Sequence, residues 1–121
     1  GDRITEIYGD ILRRYHGHDE GIVIIDDLYT NEWMFIPHFY FNMYVYQYAT
    51  AYSGAVALSR RVLAGGETER EQYLDVLRSG CSRYPVETVK LGGVDLASPG
   101  PMRDVIRLFG DLIDQVDELL D

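Results

Sequence analysis

Residues 36–52 read IPHFYFNMYVYQYATAY, and the reading of this stretch decides the fold. It holds five of the ten tyrosines, one of the three histidines and two of the four phenylalanines. Pro37 presets φ for a first helical turn and gives up only an N–H that is orphaned there. Downstream, Ala49, Ala51, Ala55, Val56, Ala57 and Leu58 favour continuing the same helix to about Leu63. A soluble helix has one apolar face, whereas this one is aromatic on nearly every side. It is expected at the centre of a helical assembly, along a cleft, or both.

At roughly 100° per residue, His38, Phe41, Val45, Tyr48 and Tyr52 fall on one stripe of such a helix. Tyr40, Tyr44, Gln47 and Ala51 make a second, and Phe39, Asn42, Tyr46, Ser53 and Ala57 a third. The first stripe sets an imidazole and two phenols, all hydrogen-bond donors, in an otherwise apolar wall. Such a wall suits gripping a polar substrate group. A neutral imidazole at a helix start is suited to polarising a carbonyl or holding an oxyanion. The competing reading makes the tyrosines amphipathic core residues whose hydroxyls reach water.

Outward from this stretch the chain reads as helices and short loops. Ile4, Ile7, Tyr8, Ile11, Leu12 and Tyr15 recur at helical spacing over residues 2–15, with Asp2 as cap, and the HGHDEG of residues 16–21 breaks the run. Ile22–Ile25 is a short β-branched run, too little for a sheet. Asp26 or Asp27 is placed to cap a short helix through Trp33 and Met34. Beyond Gly65-Gly66, residues 67–78 form a helix with Tyr73, Leu74 and Leu77 inward, and Glu67, Glu69 and Glu71 near its positive end. Pro85 starts a short helix that stops at Gly92-Gly93, and Ser98-Pro99 opens a last one. Its face is Met102, Val105 or Ile106, Phe109, Leu112 or Ile113, Val116, Leu119 and Leu120. The expected fold is all-α: one domain over residues 1–121, with five or six helices around the long aromatic one.

Composition bounds the function. A net charge of −9 over 121 residues argues against nucleic acid and anionic membrane surfaces. No apolar run approaches the ~20 residues that span a bilayer. Cys81 is the single cysteine, which excludes an intrachain disulfide framework and fits a reducing, cytoplasmic setting. His16, His18, Asp19 and Glu20 are metal-ligand types, but a glycine-broken loop does not fix their directions, and a solvated loop is the favoured reading. There is no HExxH. The Gly-Gly pairs follow helices, the reverse of what phosphate binding needs.

The segment EWMFIPHFYFNMYVYQYATAYSGAVAL resembles the C-terminal part of oligoendopeptidase F, of the thimet oligopeptidase-like family of zinc metallopeptidases. YHGHDEGIVIIDDL before it and AGGETEREQYLDVLRSGCSRYPVETVKLGGVDLASPGPM after it extend the resemblance over nearly the whole chain. It implies a mostly helical peptidase with a deep cleft for short peptides, and a zinc held by the two histidines of HExxH and a more distant glutamate. In that family a histidine and tyrosines downstream of the zinc helix bind substrate and stabilise the oxyanion. Carried over, His38 takes the place of the histidine and Tyr48 that of the transition-state tyrosine. A second family tyrosine falls on Phe41, which has no hydroxyl, so that place is vacant or is filled by Tyr40, Tyr44 or Tyr46. Catalytic His38 and Tyr48, with Tyr40, Phe41, Tyr44 and Tyr46 as substrate contacts, are the expected site. With HExxH and the third ligand absent, the resemblance implies a C-terminal segment that binds no catalytic zinc and cleaves nothing alone. Apolar surface left uncovered by the missing part favours self-association. The alternative is a non-catalytic helical binding or dimerisation module.

Overall fold

The computed structural model describes residues 1–120. These form five α-helices, α1 (Asp2–His16), α2 (Tyr46–Ala64), α3 (Glu67–Ser79), α4 (Pro85–Leu91) and α5 (Gly100–Leu120), with 3₁₀ turns at Asp27–Phe35 and Pro37–Phe39. The all-α expectation holds. The chain divides into two compact units, residues 1–45 and Tyr46 onward, and each is described by itself.

In the first unit, α1 ends where Gly17 takes a left-handed φ of 63°, the usual helix stop. No side chain caps its start, where Gly1 stands rather than Asp2. Ile22–Ile25 forms no strand; Ile25 is buried, and its N–H donates to His18 Nδ1 at 2.9 Å. Asp26 caps the Asp27–Phe35 segment by accepting from Leu28 N at 2.9 Å. That segment lies along α1. Trp33 Nε1 donates to Thr5 Oγ1 at 3.0 Å and the Tyr8 hydroxyl to Glu32 at 2.9 Å. Arg13 pairs with Asp27 at 2.6 Å, a largely exposed contact that adds little. Burial and the Glu32 carboxylate, in that order, push the Tyr8 phenol above its ordinary range.

In the second unit, α2 packs against both α3 and α5, and α3 against α4. Small residues make this possible: Ser53, Gly54 and Ala57 are buried on α2, with Val56 and Val94 beside them. One side chain ties three helices together. Arg61 of α2 donates from Nε to Gly92 O at the end of α4, and from Nη2 to Gln72 Oε1 of α3, each at 3.0 Å. The guanidinium fills the space beside Gly93, where φ is 73° and an added Cβ would stand 2.5 Å from Arg61 Nη2. Only glycine suits that position. Leu77, expected inward, is 60% exposed on the rim of an apolar groove of about 530 Å³ between α2 and α3. The last helix starts one residue later than the proline expected to open it; Ser98 Oγ accepts from Gly100 N at 3.3 Å.

At the start of α3, Glu69 accepts from Gly66 N at 2.9 Å. That bond is the main reason its carboxyl lies below the usual glutamate range. A depressed folded-state value means stability present above the unfolded value and lost as pH falls through the folded one. The first turn of α3 is therefore expected to fray on acidification. Glu69→Gln, which keeps an acceptor for Gly66 N, should flatten that acid limb in amide exchange at Gly66; an unchanged limb would refute the assignment.

The core is small. Among the described residues the buried hydrophobic side chains are Ile25, Val56, Ala57 and Val94. The apolar stripe of α5 lies open, with Ile106, Phe109 and Ile113 at 64%, 65% and 46% exposure. The stripe of α1 is similarly exposed at Ile4, Ile7 and Ile11.

Candidate functional site

The long aromatic helix expected from Pro37 does not form. Ile36 is extended (φ −88°, ψ 101°), as the residue before a proline tends to be. Pro37–Phe39 makes one 3₁₀ turn, and α2 begins only at Tyr46. Between them Asn42 and Met43 take left-handed φ values of 53° and 54°. Asn tolerates this region better than most residues, because its short polar side chain hydrogen-bonds locally. Met has no such compensation, and left-handed backbone costs about 1–2 kcal/mol per L-residue. The bend is thus a strained feature held by its surroundings.

This bend overturns the wheel. His38 and Phe41 no longer share a helix with Tyr48 and Tyr52, so the stripe joining them lapses. His38 also sits in a three-residue turn rather than at the head of a long helix, which removes the expected helix dipole. The structure instead joins His38 to Tyr44, which the wheel held apart. Their ring centroids lie 5.7 Å apart with planes inclined at 20°, and Tyr44 N donates to His38 O at 2.9 Å. His38 is half-buried and Tyr44 39% exposed. The Tyr40 hydroxyl donates to Met34 O at 3.3 Å, so Tyr40 braces the approach to the bend. Phe41 is exposed. Phe39 lines an apolar cleft of about 190 Å³ with Ile4, Tyr8 and Trp33, as a packing residue does.

In the second unit Tyr46 and Tyr48 stand on the first turn of α2, both exposed, and Thr50 Oγ1 donates back to Tyr46 O at 3.3 Å. Tyr48 and Tyr52 stay on one face, one helical turn apart. Sequence reasoning missed Arg61 and the pairing of His38 with Tyr44. Arg61 carries no local motif, since its partners lie 11 and 31 positions away. The His38–Tyr44 stack had one legible clue, an asparagine four residues beyond His38.

The chain's own residues do not fit the zinc that the resemblance implies. Among the described residues no group of three or more His, Cys, Asp or Glu side chains comes together to hold a metal. In the 16–20 loop, His18 Nδ1 accepts from Ile25 N, and His16 Nδ1 lies 2.9 Å from Leu12 O. Both rings thus spend one nitrogen on backbone.

The model of peptidase family M3 matches residues 1–108, and the chain belongs to that family. It is 43% identical over 117 residues to oligopeptidase PepF of Bacillus subtilis (strain 168), covering 97% of this chain and 17% of that protein. To a protein of Lactococcus lactis subsp. lactis (strain IL1403) described as an oligoendopeptidase F homolog it is 38% identical over 120 residues, covering 98% and 19%. To the chromosomal oligoendopeptidase F of Lactococcus lactis subsp. cremoris it is 33% identical over 120 residues, again covering 98% and 19%. The chain thus spans about a fifth of the length of these relatives. No solved structure matches it significantly. No helix among the described residues is long and apolar enough to cross a membrane.

Proposed function

We propose that this chain is the C-terminal part of an oligoendopeptidase F-like zinc metallopeptidase that hydrolyses short peptides, acting in the cytoplasm. Its contribution is one wall of the substrate cleft. His38 and Tyr48 donate hydrogen bonds to the oxyanion that develops when the scissile carbonyl is attacked, and Tyr40, Phe41, Tyr44 and Tyr46 contact the peptide. The observation that carries this reading is the family match, whose residues 1–108 include the segment bearing all six residues. Zinc belongs to the parent and is held outside these 121 residues.

The chemistry asked of this wall is electrostatic. As a peptide carbonyl becomes tetrahedral its oxygen gains charge, and pre-aimed donors stabilise that state more than the ground state. An imidazole N–H and a phenol O–H both suit this work. The open apolar faces of α1 and α5 support the same reading: they are covered by the rest of the parent polypeptide and drive self-association when the chain is alone.

The test is to express the chain and the complete polypeptide from its parent reading frame and assay both on fluorogenic peptides. The complete polypeptide should carry an upstream HExxH, cleave short peptides and lose activity to a chelator, while the chain alone stays inactive. A frame that begins at or near Gly1, or a complete polypeptide that binds peptides without cleaving them, would point to a helical binding module instead.

A further inference from the structure

Helix α5 is longer than the packing it makes within the chain. It runs for 21 residues, yet from Asp111 onward every described residue is exposed. Its open apolar residues include Met102, Ile106, Phe109, Ile113, Val116 and Leu120, at spacings of four, three, four, three and four. That alternation is the seam of a coiled coil, in which a second helix covers the stripe. The half-buried Asp104, Val105 and Leu108 lie to one side of it, so packing on α2 leaves the seam open.

At roughly 100° per residue, the other side of the seam is flanked by Arg103, Arg107, Gly110, Asp114 and Asp117. Its cations stand in the first half of the helix and its anions in the second. Among the described residues no ion pair joins any of these four charged groups to another side chain. Between them, a Cβ added at Gly110 would meet nothing within 4 Å. Nothing within the chain calls for glycine there, where it weakens a helix relative to alanine; a second backbone passing close at that level gives it a use. Two helices paired antiparallel about a two-fold axis bring each flank against itself in reverse order. Crossing at residues 110–111 then sets Arg103 and Arg107 of one copy against Asp117 and Asp114 of the other, twice over. A parallel pair sets the same flank against Val105, Leu112 and Leu119, which offer no charge. We propose that the α5 stripe of the chain by itself pairs with a second copy, antiparallel, in a dimer whose orientation these charges set. This rests on the reading that the remainder of the parent polypeptide otherwise covers the stripe. The interface is isologous and closed, so association stops at two chains.

The test measures self-association of the 121-residue chain by light scattering across a concentration series, with circular dichroism to confirm that each variant stays helical. Arg103→Asp/Arg107→Asp and Asp114→Arg/Asp117→Arg each give the flank a single sign. Either variant alone should associate about tenfold or more weakly, and their equimolar mixture should recover the unaltered affinity within about threefold. Orientation is read by spin labels placed away from the seam, at Asp111→Cys or Glu118→Cys in a Cys81→Ser background. An antiparallel pair adds an axial offset of roughly 20 Å between labels at 118 that is absent at 111. Equal label distances, assemblies larger than two, single-sign variants that associate as tightly as the unaltered chain, or a mixture that does not recover would each overturn the proposal. A monomer under every condition would also overturn it, and would leave the remainder of the parent polypeptide as the occupant of the stripe. Failure of the underlying reading looks different: the complete polypeptide then dimerises with the same label pattern, its remainder leaving α5 uncovered.

Discussion

His38→Ala in the complete polypeptide is expected to lower kcat by about a hundredfold to a thousandfold, the effect of deleting one donor from an oxyanion site. Tyr48→Phe should act in the same direction and in the same range, because it removes a single oxygen and leaves the ring in place. Tyr48→Phe should not disturb folding. Tyr48 is 55% exposed on the first turn of α2, and exposed substitutions of this kind shift stability by within about 0.5 kcal/mol. His38 is half-buried and stacked on Tyr44, so its removal has a larger structural effect, and the thermal midpoint is measured alongside kcat and KM. A fall in kcat with KM and melting preserved identifies groups that act in the transition state. A collapsed melting transition with no specific kinetic change returns Tyr48 to the core-tyrosine reading and leaves His38 a packing residue.

The second large effect concerns the isolated chain. Ile106, Phe109 and Ile113 form the middle of the open stripe on α5, and changing all three to Gln should convert a self-associating chain into a monomer. Each such side chain contributes ~1.5–3 kcal/mol when fully buried. Even with half of that lost to ordering at the interface, the three together shift the association constant by roughly a few hundredfold. Glutamine is a good helix former, so helicity by circular dichroism should be unchanged. Light scattering across a concentration series reads the outcome directly. An unaltered chain that stays monomeric at high concentration would show that these faces do not associate.

Much of the fold was legible because it is written in local signals. The α1 spacing of Ile4, Ile7 and Ile11, the Gly-Gly break before α3, and the Pro85 start and glycine stop of α4 each name their own helix. The errors at the ends are small and physical: Gly1 rather than Asp2 at the head of α1, Gly100 rather than Pro99 at the head of α5. The candidate site was less legible. Apolar and aromatic periodicity from Pro37 to Leu63 is consistent with one helix, and nothing in that pattern reports the φ of Asn42 and Met43. The asparagine was a clue, but methionine is an ordinary helix former and argued for continuation. Periodicity identified the α5 stripe correctly and was silent on whether protein or solvent meets it. The Arg61 clasp was invisible because its partners are chosen by tertiary packing.

That clasp has a mechanical consequence. Helix α2 is a single rod with Tyr48 near one end and Arg61, fixed to α3 and α4, near the other. Thirteen residues of helix make a lever arm of ~20 Å. A tilt of about 3° about the clasp swings the phenol end by about 1 Å, the scale of misplacement that costs an enzyme about a hundredfold. If Tyr48 serves the oxyanion as proposed, its alignment depends in part on two hydrogen bonds made thirteen residues away along the same helix.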